Sequence, residues 1–212
     1  MVSTTSGSDA ERRVWGEIRD LHREISTAKP PSKEPVYPLG TLIDYLKVIT
    51  FDPGKELEGR RDVVGRDIRN GIILIPIPKG QEGENAIGKI IGTKNDVVIW
   101  IIDELPNMID SILRPESNLE SNIKFQLIGI GNANLPSDPH GRMCEPVNGW
   151  ESVTKNDEEW EGLFGTQVIN SNGRHSPNFH PAVDQSEEDK SRYPFPFLAT
   201  PSYIRKTALI NG

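Results

Sequence analysis

Apolar positions along the chain fall into two periods. Val14, Ile18, Leu21 and Ile25 recur at helical spacing, and Trp15 broadens the stripe. Ahead of them Ser8-Asp9-Ala10-Glu11 has the form of a capping box, in which serine and glutamate satisfy free backbone N–H groups. The spacing predicts a helix from Ser8 that stops before Lys29-Pro30-Pro31, since proline disfavours helical geometry in the residue ahead of it. Continuous apolar runs at 71–78, 97–102 and 125–131 predict strands, with Pro76 and Pro78 at a strand end or a sheet edge. Residues 42–51 are mixed and are assigned as a further strand. Between the runs, 79–84 predicts a turn-rich loop, 85–91 a short helix and 105–113 another helix.

Strands that alternate with helical sequence and end in polar residues form the βαβ pattern of a parallel sheet. The runs at 97–102 and 125–131 are the candidate central strands, the first with the composition of a strand buried on both faces. After Trp150 the chain changes character. Residues 159–169 predict short antiparallel strands, 170–192 is polar, and Tyr193-Pro194-Phe195-Pro196-Phe197 predicts an extended tail docked by its aromatics. The expected organisation is an α/β domain over 1–150 with a loop-rich extension over 151–212.

Composition narrows this picture. Hydrophobic content of 35%, seventeen prolines and nineteen glycines describe a loop-rich chain. A net charge of −7 argues against a free monomer that coats nucleic acid, while leaving room for a local DNA-binding patch. One cysteine, Cys144, excludes an intrachain disulfide and fits a reducing compartment. With no signal-peptide pattern and no apolar run of roughly 20 residues, the sequence predicts a soluble intracellular chain.

The strongest chemical signal is Asp103-Glu104 directly after Val97-Val98-Ile99-Trp100-Ile101-Ile102. Paired carboxylates are costly at the end of a buried strand, yet ligands sit at the carboxyl ends of strands in open α/β sheets. In nucleotide hydrolases of this layout the Asp orients the water shell of Mg²⁺ and the Glu polarises the attacking water. The plainer alternative is a strand that runs into an acidic helix N-terminus. Gly83-Glu84-Asn85-Ala86-Ile87-Gly88-Lys89-Ile90 comes close to a phosphate loop, G-x-x-x-x-G-K-[ST], but isoleucine lacks the hydroxyl that ligates Mg²⁺. The distance to Asp103 is also too short for a full crossover helix. A Gly-rich, Lys-bearing loop beside the sheet is the expected reading.

Taken in order, these segments resemble the ATPase domain of the phage terminase large subunit, the motor that packages DNA into viral capsids. STT-x-x-x-DAERRVWGEI resembles the stretch after the family's Walker A helix, and PKGQEGENAIGKIIGTK the loop before Walker B. VVIWIIDELPNM resembles Walker B, and FQLIGIGNANLPSDPHGRMCEPVNGW the coupling-motif region. Ser176-Pro177-Asn178 and YPFPFLATPSYI resemble the end of the domain. The resemblance implies a mostly parallel P-loop NTPase sheet of the ASCE type, here without the Walker A segment or the nuclease domain, and hence a fragment, split or decayed product.

It further implies ATP and Mg²⁺ as cofactors, with Asp103 at the metal and Glu104 as the catalytic carboxylate. Asn132 and Asn134 would form the coupling motif. Implied partners are double-stranded DNA, the portal protein, the small terminase subunit and further copies in a ring, at the procapsid portal in the host cytoplasm. A missing central strand would leave an apolar slot in the sheet.

Other residues carry weaker readings. Lys79 and Lys89 are candidate phosphate or DNA contacts, although solvated loop lysines are common. Arg142 is a candidate arginine finger, with Arg114 and Arg174 as rivals. His140, Cys144, His175 and His180 supply four potential zinc ligands without the tight spacing of strong sites. The tryptophans read as packing residues. The rival functions are a helicase that shares the Walker B strand, and a non-catalytic interaction protein derived from a terminase.

Overall fold

The computed structural model describes residues 1–27, 40–51, 70–132, 134–154, 156–171, 175–180, 182–195 and 200–205. The chain divides into two compact units, Met1–Met143 and Cys144–Gly212.

The first unit is α/β, built on a six-stranded sheet with flanking helices. Its strands are β1 (Val2–Thr4), β2 (Thr41–Ile43), β3 (Val48–Thr50), β4 (Gly71–Pro76), β5 (Val97–Ile102) and β6 (Lys124–Gly129), in the spatial order β2-β3-β4-β1-β5-β6. β4, β1, β5 and β6 run parallel, and the β2–β3 hairpin adds antiparallel to β4. The expected slot inside the sheet is therefore filled. Three residues, Val2 to Thr4, lie between β4 and β5, and among the described residues β2 and β6 are the two edge strands.

The helical segment starts one residue before Ser8, at α1 (Gly7–Asp9). It then widens to a π-helical stretch, Ala10–Trp15, and continues as α2 (Gly16–Thr27). The wider turn changes the phase of the apolar stripe, which is a known effect of π insertions. Trp15 and Ala10 are buried on Leu74 and Ile49, whereas Leu21 and Ile25 face outward. The predicted strand at 42–51 is a hairpin interrupted by a 3₁₀ turn, Asp44–Leu46, with Lys47 at φ 56°. α3 (Gln81–Ile91) begins earlier than predicted and takes in the whole near-match to a phosphate loop. Inside that helix Gly83 packs against Pro78, where an added Cβ would lie 2.0 Å from the carbonyl oxygen. Residues 105–113 form two 3₁₀ turns, Leu105–Asn107 and Asp110–Leu113, followed by α4 (Glu116–Leu119).

The main core lies under α3. Val98, Trp100 and Ile102 meet Ile77, Ile87, Ile90, Leu105, Ile112 and Leu119, with Phe125 and Leu127 at the margin. Trp100 is fully buried and its Nε1 donates to Ser3 Oγ at 3.0 Å, so the indole's polar end is satisfied. β5 is nevertheless buried on one face only, because Val97 and Ile99 on the opposite face are exposed. The π-helical stretch Ala10–Trp15 packs on that face over β4 and β1, where Ala10 and Trp15 cluster with Leu74 and Val2, and Ile18 of α2 joins them at the margin.

The second unit holds β7 (Glu159–Glu161) and β8 (Gln167–Ile169), paired antiparallel as expected. Trp160 stacks edge-on against Trp150 with centroids 6.5 Å apart and donates Nε1 to Cys144 O. Buried Asn178 exchanges two hydrogen bonds with the Phe195 backbone, and Tyr193 is buried, which anchors the start of the aromatic tail. Residues 196–199 lie outside the described residues.

Candidate active site at the carboxyl ends of the parallel strands

The parallel strands deliver four loops to one edge of the sheet. β5 ends at Ile102, and Asp103 and Glu104 follow at once. The main chain here is clamped from both sides. Asp103 N donates to Ser3 O at 2.8 Å, Ile130 N donates to Ile102 O at 2.9 Å, and Leu105 N donates to Ile130 O at 3.0 Å. The carboxylate pair therefore stands between the tips of β1 and β6, and the loop that holds Asn132 and Asn134 starts beside it.

Glu104 takes the left-handed conformation, φ 56° and ψ 39°, which is uncommon for a residue with a side chain. Such backbone persists where surrounding contacts fix it, and it clusters at functional sites. Asn107 closes the turn, donating its backbone N–H to Glu104 O at 2.9 Å and its Nδ2 to Glu104 Oε2 at 3.1 Å. Both acids are half-buried, so each keeps a route to solvent. Thr4 Oγ1, at the tip of β1, is buried and has no hydrogen-bond partner among the described residues.

Gly131 allows the close approach of the β6 loop to this turn. An added Cβ there would meet Pro106 Cδ at 2.3 Å. The sequence reading missed Gly131 as a site-shaping residue. The signal was present in Gly129-Ile130-Gly131, two glycines closing an apolar strand, a pattern that marks close backbone approach.

The loop after Asn134 is organised by Asp138. Its Oδ1 accepts from Gly141 N at 2.7 Å and its Oδ2 from Leu135 N at 3.0 Å, and Pro139 opens α5 (Pro139–Cys144). Aspartate before a helix that begins with proline is the favoured start arrangement. Burial alone would raise the Asp138 pKa, but these backbone N–H groups outweigh it and hold the carboxyl below its ordinary value. Burial lowers the pKa of His140, against the opposing charge of Asp138.

The remaining candidates are placed as follows. Asn132 and Asn134 are exposed at the tip of β6, on the same edge as Asp103 and Glu104. Lys79 sits in the turn between β4 and α3, also on this edge and two strands from β5. Lys89 is not brought there: it lies in the last turn of α3, which returns toward the start of β5, where Thr93 touches Met1. Arg142 donates Nη2 to Asp110 O at 3.0 Å, within its own unit. Arg114 is paired with Glu84 at 3.0 Å, and Ser111 and Arg114 together hold the Glu84 carboxyl below its ordinary pKa. Arg174 lies outside the described residues. His175 pairs with Glu158 at 2.6 Å, and His180 Nδ1 accepts from Ala182 N. No group of three or more His, Cys, Asp or Glu side chains suited to a metal occurs among the described residues.

As donors, Asp103 and Glu104 offer hard carboxylate oxygens. These suit Mg²⁺, which characteristically takes one or two carboxylates and completes its shell with water and phosphate oxygens. No protein-family model matches the chain, and no curated protein and no solved structure matches it. No helix among the described residues is long and apolar enough to cross a membrane.

Proposed function

We propose that this chain carries the hydrolytic edge of a P-loop-type ATPase domain, of the kind that drives DNA packaging in the large subunit of viral terminases. The observation that supports this reading is the Asp103–Glu104 pair, held at the carboxyl end of an interior parallel strand beside the tip of β6. Open α/β sheets use this edge for ligands, and the left-handed Glu104 is consistent with a functional position.

In this reading Asp103 holds the water shell of a Mg²⁺ ion, which when bound neutralises charge on nucleotide phosphates. Glu104 orients water, and the Asn107 side chain fixes the direction of its carboxylate. The loop with Asn132 and Asn134 is tied to the same turn by the hydrogen bond from Leu105 N to Ile130 O, the contact through which this reading couples them. Double-stranded DNA, the portal, the small subunit and further copies of the chain are the partners this reading implies.

The test uses a chain extended upstream by the genomic sequence before the Met1 codon. An in-frame G-x-x-x-x-G-K-[ST] or a close variant supports the reading. In that protein Glu104→Gln should leave Mg²⁺-dependent ATP binding intact and lower turnover by about 10²–10⁴-fold, the usual contribution of a positioned acid or base. Retained turnover removes Glu104 from the mechanism. Exposed Val97, Ile99 and Ile130 on one face of the sheet favour a second reading, a non-catalytic interaction protein derived from a terminase, which binds no nucleotide.

A further inference from the structure

The β7–β8 hairpin is wider than its two strands. Val147 N donates to Glu161 O at 3.0 Å and Leu163 N to Glu145 O at 2.8 Å, around a bridge between Pro146 and Gly162. Residues 145–147 thus lie antiparallel beside β7, with Glu145 opposite Leu163 and Val147 opposite Glu161. β8 lies on the other side, with Gln167 opposite Glu161 and Ile169 opposite Glu159.

Alternation sorts these side chains onto two faces. Pro146, Trp160 and Val168 share the inward face, where Pro146 and Val168 are buried and Trp160 meets Trp150. The opposite face lies open, with Val147 49%, Leu163 47% and Ile169 71% exposed. Phe164, in the turn, is 68% exposed. It is held out by a closed hairpin, since Gly165 N donates to Gly162 O at 3.0 Å and Gly162 N to Thr166 O at 2.8 Å.

The polar positions on this open face are acidic or neutral. Glu145, Glu159 and Glu161 share it with Gln167, and no lysine or arginine occupies any of its positions. Glu159 accepts from Gln167 Nε2 at 3.3 Å, while the Glu145 and Glu161 carboxylates have no partner among the described residues. Like charges on one sheet face repel, and a cation placed across from them is the usual remedy. Over residues 144–170 six acids stand against one cation, Lys155, which lies outside the described residues.

This chemistry selects among occupants. Three carboxylates repel a phosphate backbone. They do not converge as metal ligands, because no group of three suited to a metal occurs among the described residues. Exposed apolar side chains set among uncompensated carboxylates instead match a polypeptide that brings both apolar surface and positive charge. Glu159 and Glu161 line a groove of about 360 Å³ on the hairpin, room enough for a lysine or arginine head group. Three strands at the usual spacing span about 10 Å, close to the diameter of one α-helix.

We propose that this face docks a basic amphipathic helix of a partner protein, its apolar stripe on Leu163, Phe164 and Ile169 and its flanking lysines or arginines on Glu145, Glu159 and Glu161. The inference is independent of the nucleotide reading, since it uses no residue of the Asp103–Glu104 site.

The experiment titrates the full chain with a synthetic helical peptide of about fifteen residues whose leucine stripe is flanked by lysines, and with the same peptide flanked by glutamates. Calorimetry reads affinity and amide NMR reads location. The lysine peptide should bind one to one, shift amides between Glu145 and Ile169, and weaken about tenfold or more as salt rises from roughly 50 to 500 mM. The glutamate peptide should not bind measurably. Glu159→Lys with Glu161→Lys, and separately Phe164→Ser with Ile169→Ser, should each weaken the lysine peptide about tenfold or more. Melting temperatures should not change, because these four side chains are exposed. Glu17→Lys with Glu24→Lys, exposed on α2, makes the same change in net charge and should alter affinity less than about twofold. Four results overturn the proposal: equal binding of the two peptides; an equal loss in the α2 variant, which would make the attraction one of net charge; shifts on this face that grow with protein concentration alone, meaning a second copy covers it; or no shifts between 145 and 169. The comparison of the two peptides uses the unaltered chain, so it decides the matter whether or not a variant folds.

Discussion

Trp100 Nε1 donates to Ser3 Oγ at 3.0 Å, a buried bond between residues 97 positions apart in sequence. It locks the three-residue β1 against β5 directly beneath the Asp103–Glu104 turn. A strand this short contributes few ladder bonds, so a satisfied indole N–H fixes its register more firmly than pairing alone. Ser3→Ala leaves that N–H buried without a partner and should cost about 1–3 kcal/mol, read as a lower urea midpoint at unchanged slope. An unchanged midpoint would show that the bond contributes nothing net.

Glu104 provides a contrast between stability and function. A non-glycine residue in the left-handed region costs about 1 kcal/mol that glycine avoids. Glu104→Gly should therefore leave the fold equally stable or raise stability by about 0.5–1 kcal/mol, despite loss of the Asn107 bond. Thermal melting checks this. A clear fall in melting temperature would mean that the Glu104 side chain holds the turn together and the backbone carries no strain.

Gly131 is fixed by space. A Cβ 2.3 Å from Pro106 Cδ cannot be accommodated without moving the turn that follows Glu104. Gly131→Ala should destabilise by about 1–3 kcal/mol, the usual cost of overpacking, and shift the amide resonances of Leu105 to Asn107. Unshifted resonances would show that the loop, not the turn, gives way.

Asp138 gives the fold an acid-sensitive point. Its carboxyl pKa is lower in the folded chain than in the unfolded one, so its stabilising contribution is complete above the ordinary carboxylate range and is lost as pH falls through the folded value. Stability should fall on the acid side more steeply in the native chain than in Asp138→Asn, whose amide oxygen keeps the N-cap without titrating. Equal acid slopes for the two proteins would assign the pH dependence to other carboxyls.

Some of this architecture was legible from residue order alone. The acidic pair after six apolar residues, the strand at 125–131 and the alternation of strand with helix are local patterns, and the folded chain contains them. Lys89 was not legible. Only the return direction of α3, set by packing Ile87 and Ile90 on Trp100's face of the sheet, puts it away from Asp103. The exposed face of β5 was hidden for a similar reason. Val97 to Ile102 reads as buried throughout, because composition records what a strand can bury and not which helix reaches it.

The sequence by itself determined the local elements, since periodicity, proline and the residues flanking each run act over a few positions. Tertiary structure decided that Val2 to Thr4 enter the middle of the sheet, that Glu104 turns left-handed between β1 and β6, and that β6 ends the sheet among the described residues. These depend on contacts between residues far apart in the chain, where burial and hydrogen-bond satisfaction select one pairing among many that local pattern permits.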